Sequence, residues 1–439
     1  MWLLLTIYGL LFTVLAWKNF RLAIGAFIIG LPAYLIRFKI GPLPTTLLEL
    51  NFGILFLVWF IKFAREDWPS IKKQLTINKL FFVLCSLFFF SSIVSIFISD
   101  MWYYSLGQWR AYFLEPMLVF IMLLGRKSSN SKNDSTTTTN LIWFLVLSTV
   151  SIGLFGIAQH FTGWHIGNVD WIALQTGRVT SFFLSPNAVG LFIGPCLPII
   201  AYLFMKEWSS SSRSKFIIYY LLFILGALAL ITLLLTKSLG ALITVGVGLL
   251  LFIFLSDYKK TFLVAVLLGG CLVLSTYSLG LIQNKSQSLG NRFTLWGYSW
   301  NYLTASPKNF IFGAGIRQFF RKIQKPYYDV KKMERLIYPH NIFLNFWTET
   351  GLVGMVSFIV LYCYLLRATW YVSTKSDKIL GASLLSALFI ILVHGLIDVP
   401  YFKNDLAMLF WIIAAITINA KTKNNSPGLN YTNALERHK

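Results

Sequence analysis

Stretches of apolar residues long enough to cross a bilayer follow one another along almost the whole chain, and they leave few folds open. In lipid no water satisfies the backbone, so a spanning segment must close its own hydrogen bonds as a helix of about 20 residues. Runs of this kind cover residues 2–17, 22–36, 43–61, 79–98, 108–124, 141–160, 185–205, 216–236, 239–256, 261–280, 342–366, 379–397 and 405–420. Two of the first three are short, so the expected number of spans is 12 or 13. Composition agrees: 12% of residues are charged, whereas a soluble domain carries roughly a quarter. The expected fold is all-α, a polytopic membrane helical bundle forming one integral domain over residues 1–439.

No Lys or Arg precedes Lys18, so the first run lacks the basic start of a secretory signal and reads as a retained helix. Orientation follows from the positive charges in short connections. Lys62, Arg65, Lys72 and Lys73 share one connection, and alternate connections carry Arg126, Lys127 and Lys132, then Lys206, Arg213 and Lys215, then Lys259 and Lys260. Arg367, Lys375 and Lys378, and the tail with Lys421 and Lys423, complete the cytoplasmic set. The long segment 281–340 then lies outside, as an external catalytic loop containing short helices.

That placement divides the formal charge of +22 into two parts. Cytoplasmic basic residues are the ordinary topological signal and meet anionic headgroups. The loop is different: Lys285, Arg292, Lys308, Arg317, Arg321, Lys322, Lys325, Lys331, Lys332 and Arg335 face only Asp329 and Glu334 there. Such a surface attracts a phosphate-bearing or otherwise anionic ligand, or simply headgroups. Cys85, Cys196, Cys271 and Cys363 lie in apolar runs without metal-like or paired spacing, and read as small buried hydrophobes. The tracts 128–140 and 209–214 read as linkers. With no phosphate-binding loop, dinucleotide fingerprint or His/Glu metal pair, no cofactor, metal or nucleic-acid partner is expected.

Three external places carry chemistry. The first is Gly177 to Asn187, where Arg178 precedes Ser185 at a cap position and Pro186 at a helix start. The second is Asn291-Arg292-Phe293-Thr294-Leu295-Trp296, an amphipathic helix signal, followed by Phe312-Gly313-Ala314-Gly315. The third is Tyr338-Pro339-His340-Asn341, running on to Glu349-Thr350-Gly351.

At these places the chain resembles the O-antigen ligase and polymerase family of polytopic, polyprenyl-diphosphate-dependent glycosyltransferases, over roughly residues 177–360. Arg178 before a Pro-Asn helix start, the Arg292-x-x-x-Trp296 helix, the turn with Gly313 and Gly315, and His340 with Asn341 ahead of Glu349 occur in the family's order. The resemblance implies transfer of a glycan from a polyprenyl diphosphate carrier to an acceptor hydroxyl on a glycan, lipid or protein. It implies no nucleotide sugar and no metal, and a place on the external, periplasmic face of the bacterial cytoplasmic membrane. Guanidinium forks then supply the counter-charge for the departing diphosphate, which points to Arg178 and Arg292. An imidazole suits the proton of the attacking hydroxyl, which points to His340, with Asn341, Gly313, Gly315, Glu349, His394 and Asp398 as substrate-binding candidates.

Each assignment has a structural alternative. Arg178 can snorkel to headgroups, Arg292 can be one lipid-facing charge among several, and His340 can be a solvated loop residue beside the capping Asn341. Glu49, Glu115, Glu349 and the pair His394 and Asp398 need partners inside the bundle. Glu49 and Glu115 read as buried hydrogen-bonding groups, whereas His394 and Asp398, four apart, pin helices or touch substrate. The rival from another class is a membrane carrier or flippase for lipid-linked oligosaccharide, but the chain has no clear half-to-half similarity and its polar residues gather in external loops. Ligase and polymerase use the same donor and differ in acceptor, and no residue reads out which.

Overall fold

A computed structural model describes residues 2–41, 43–125, 137–165, 177–208, 213–256, 286–329 and 335–424. Its helices are α1 Trp2–Lys18, α2 Phe20–Ile29, α3 Leu47–Lys62, α4 Ala64–Ile77, α5 Lys79–Ile98, α6 Trp102–Trp109, α7 Glu115–Gly125 and α8 Thr138–Thr162. They continue with α9 Pro186–Trp208, α10 Arg213–Leu235, α11 Leu239–Leu255, α12 Ser286–Thr304, α13 Pro307–Phe312, α14 Ile342–Lys375, α15 Lys378–Gly395 and α16 Asn404–Asn424. The fold is an all-α polytopic bundle. Among the described residues the one sheet is a hairpin of β1 Arg37–Ile40 and β2 Leu43–Thr46, antiparallel with Arg37 opposite Thr46.

Seven described helices are long and apolar enough to cross a membrane, or eight if α3 and α4, bent 94° apart, count as one broken span. Hydropathy marks 12 or 13 runs over the whole chain, and several of the described ones differ in the structure. The run at 22–36 stops as a helix at Ile29, because Gly30 and Pro32 turn the chain into a short 3₁₀ segment and then the hairpin. The run at 108–124 is interrupted by a π-turn at Arg110–Leu114. Helices α1 and α11 are 17 residues each, just short of a full crossing. The expected span 261–280, together with Lys285, Lys331 and Lys332, lies outside the described residues.

The helix starts follow local chemistry. Thr46 and Glu49 form a reciprocal capping box on α3, and Thr137 does the same with Asn140 on α8. Gly163, at φ +67°, ends α8 in a left-handed turn. At the centre runs α16, whose span is 94% buried, packed against α7, α14 and α8. Helix α10 is the opposite case at 22% buried, so most of its apolar surface faces lipid. Helix α5 packs along α14, and α9 along α15, α10 and α11. Among the described cysteines Cys85 and Cys196 are buried, but Cys363 is exposed on the outer face of α14, contrary to the expectation for it.

Helix α14 is broken in mid-span. At Gly351 the backbone takes φ +73° and ψ −179°, a conformation essentially confined to glycine. A break inside lipid frees carbonyls that must find donors. Here the Ala314 N–H donates to the Thr348 carbonyl at 2.7 Å, and the Ser95 hydroxyl donates to the Glu349 carbonyl. The turn Gly313-Ala314-Gly315 can reach that break because it has no side chain in the way: a Cβ at Gly313 would come within 2.5 Å of the Trp347 carbonyl, and one at Gly315 within 2.8 Å of the Ser99 amide.

Candidate functional site

One end of the bundle collects the connections between β2 and α3, α5 and α6, α8 and α9, α10 and α11, and α15 and α16, together with segment 286–341. The four described non-glycine residues with positive φ, Ser181, Lys237, Arg317 and His340, lie in these connections. Each costs on the order of 1 kcal/mol or more, which only a tightly determined environment sustains.

The Arg178 segment is fixed from below by Gln159, near the end of α8. Its side-chain oxygen accepts from the Thr180 and Ser181 amides, both at 2.8 Å, and its amide group donates to the Thr180 hydroxyl. The Val179 amide adds a bond to the Leu235 carbonyl at the end of α10. Arg178 then donates through Nε to the Thr236 carbonyl at 2.8 Å and through Nη2 to Asn187 Oδ1 at 3.4 Å. Asn187 also accepts from the Ser238 hydroxyl, which ties the start of α9 to the start of α11.

From there the chain of contacts passes to the end of α15. His394 packs with Nε2 beside Gly240, and its buried Nδ1 has no hydrogen-bond partner among the described residues. One turn on, the Asp398 amide bonds to the His394 carbonyl at 3.0 Å, and Asp398 Oδ1 accepts from the Val399 amide. The same oxygen faces His340 Nδ1 at 3.3 Å. Burial works against ionising Asp398, yet the hydrogen bond from His340 and the charges of His340, His394 and Lys403 outweigh it and hold the carboxyl well below the usual carboxylate range.

His340 itself is about one-fifth exposed, where its partner is buried. Tyr338 packs edge-on against its ring at 5.0 Å. Asn341 caps α14 with its side-chain oxygen on the Phe343 and Leu344 amides, and its amide group bonds the Leu396 carbonyl at 3.1 Å, so one residue joins α14 to α15. Ser185 likewise takes the cap position before α9, accepting from the Asn187 amide.

Helix α12 lies over this loop. The stretch Asn291 to Trp296 carries an amphipathic signal, but the buried face of the helix is Leu295, Ser299 and Leu303, four apart, while Phe293 and Trp300 are exposed. Trp296 sits between, donating its indole N–H to the Pro339 carbonyl. Arg292, one turn earlier, is half-buried and lies within electrostatic reach of His394.

Three of the sequence candidates are built into other surroundings. Gly313 and Gly315 make the buried turn against α14 and α5. Glu349 is buried deeper along α14 with Oε2 unpartnered among the described residues, and Arg317 presents its backbone N–H and charge to it. Sequence reasoning missed Arg317 as well as the buried Asp405 and the positioning role of Gln159. It also left Glu49 and Glu115 without a partner. They share Arg110, at 2.8 and 3.1 Å, a cation inside the run that hydropathy marked as a span.

Residues 222–359 match the family model described as O-Antigen ligase. The match covers just under a third of the chain. The matched stretch begins within α10 and ends within α14, so it contains Arg292, the Gly313 turn, His340, Asn341 and Glu349. Arg178, His394 and Asp398 fall outside it and join the matched stretch through the contacts just described. The match, together with seven described helices long and apolar enough to cross a membrane, supports a membrane glycosyltransferase of the O-antigen ligase and polymerase type in general terms. No curated protein matches the chain.

Proposed function

We propose that the protein transfers a glycan from a polyprenyl diphosphate carrier to an acceptor hydroxyl at the periplasmic face of the bacterial cytoplasmic membrane. The observation that carries this reading is the contact of Asp398 Oδ1 with His340 Nδ1 at 3.3 Å. An ionised carboxylate only accepts, so the proton of that bond belongs to Nδ1 and the lone pair of the imidazole stands on Nε2. Nε2 is then the atom that receives the acceptor's proton as its oxygen attacks the anomeric carbon, and Asp398 stabilises the imidazolium that forms.

The bond that breaks is the one from the anomeric carbon to the diphosphate oxygen, which leaves with the electron pair. Arg292 on α12 and Arg178, whose Nε is engaged by the Thr236 carbonyl, supply the charge that meets it. Asn341, Gly313 and Gly315 act by holding α14, α15 and the loop in place, and His394 and Glu349 remain candidates for contact with the glycan.

The test uses purified protein with a defined glycan on a short polyprenyl diphosphate. Formation of glycosylated acceptor together with release of free polyprenyl diphosphate supports the assignment. Transfer from a nucleotide sugar with no requirement for the lipid donor contradicts it.

A further inference from the structure

Beside the site, the π-turn Phe319–Gln324 and its flanks carry a row of cations that the transfer reaction does not use. Arg317, Arg321, Lys325 and Arg335 are all exposed. Arg321 and Lys325, four apart on the helical turns, share a face.

The height of this row is fixed against a membrane span. Lys322 donates to the Ile98 carbonyl, the last residue of α5, and to the Ala314 carbonyl, both at 3.1 Å, and pairs with Asp100 at 2.9 Å. Arg317 lies over the Tyr104 ring at 5.3 Å, and Arg335 over Phe320 at 4.4 Å. Trp102, Tyr103 and Tyr104, just beyond the end of α5, are each exposed. Aromatic side chains in that position mark the bilayer interface, so the cations next to them stand at the level of lipid phosphates. The nearby Asp100 is engaged by Lys322 and therefore does not neutralise Arg321 or Lys325.

We propose that Arg317, Arg321, Lys325 and Arg335 form a docking strip for the phosphate of an anionic phospholipid, whose glycerol and upper acyl chain rest on Trp102 to Tyr104. The occupant is a bilayer lipid because the strip sits at headgroup height beside exposed aromatics and carries guanidinium groups that match a phosphate with two or more donors.

The full-length protein in neutral detergent is offered phosphatidylglycerol or phosphatidylcholine, and retained lipid is counted by native mass spectrometry. Wild type is expected to prefer phosphatidylglycerol, and R321Q/K325Q to lose that preference about 25-fold, at roughly fivefold per charge removed. The charge-preserving R321K/K325R should retain most of it, and K308Q, on exposed Lys308 of α13, all of it. Equal retention of both lipids by wild type, or an unchanged preference in folded R321Q/K325Q, overturns the proposal. So does displacement of phosphatidylglycerol from wild type by a short prenyl diphosphate whose binding R321Q/K325Q also loses, since the strip would then belong to the donor.

Discussion

The indole N–H of Trp296 donates to the Pro339 carbonyl at 3.0 Å, so the helix carrying Arg292 is tied to the residue immediately before His340. Arginine and histidine thus sit on two elements that share a fixed joint. Trp296→Phe keeps the ring and removes the donor, and a net hydrogen bond of about 0.5–1.5 kcal/mol is what aligns them. Transfer should fall by about three- to tenfold with the melting temperature little changed. A full wild-type rate in the phenylalanine variant would show that the joint does not set the spacing of the two residues.

Arg178 donates through Nε to the Thr236 carbonyl and through Nη2 to Asn187 Oδ1 at 3.4 Å, which fixes the plane of its guanidinium. Arg178→Lys and Arg292→Lys preserve charge and lose the planar fork. In each, transfer should drop on the order of 10²-fold, the usual cost of removing one donor to a developing charge. The donor-concentration dependence separates binding from chemistry, and lysine variants that transfer at the wild-type rate would remove these residues from diphosphate recognition.

Gly351→Ala tests the broken span. The new Cβ would sit 2.5 Å from the Ile311 carbonyl on a backbone at φ +73°. Strain of about 1–3 kcal/mol is expected, read as a lower melting temperature in detergent. If the alanine variant melts with wild type, α14 does not need its break at that residue.

Much of this architecture was legible in the sequence because it rests on local chemistry. Ser185 before Pro186 and Asn341 before Ile342 are caps whose hydrogen bonds close within three residues, and both are made. What stayed hidden depends on residues far apart in the chain. His340 and Asp398 are separated by 58 positions, and nothing in either neighbourhood announces the other. Gly313 and Gly315 read as a turn suited to a ligand, but their bareness is used by α14 and α5, because only the fold brings the Gly351 break against that turn. Hydropathy misjudged two of the described runs for a related reason. It sums apolar character without seeing that Gly30 and Pro32 stop one helix and that Arg110 is neutralised inside another run by Glu49 and Glu115.

The pair His340 and Asp398 makes the sharpest prediction, in pH. Asp398 has its carboxyl held well below the usual range, so its ionised form contributes stability that is fully present above the unfolded carboxylate value, about pH 4. That contribution is lost only as pH falls through the still lower folded value. Any acid limb of activity above about pH 5 therefore comes from a group other than Asp398, and the pH profile of His340→Gln tests whether His340 is that group. Transfer is measured against pH with saturating donor. A residually active His340→Gln should show no such limb. Asp398→Asn keeps the volume but can donate to Nδ1, which favours the proton on Nε2 and hides the base, so turnover should fall on the order of 10²–10⁴-fold. If His340→Gln keeps both the rate and the acid limb of wild type, the imidazole is structural, and the nearby His394, buried with Nδ1 unpartnered among the described residues, becomes the group to test.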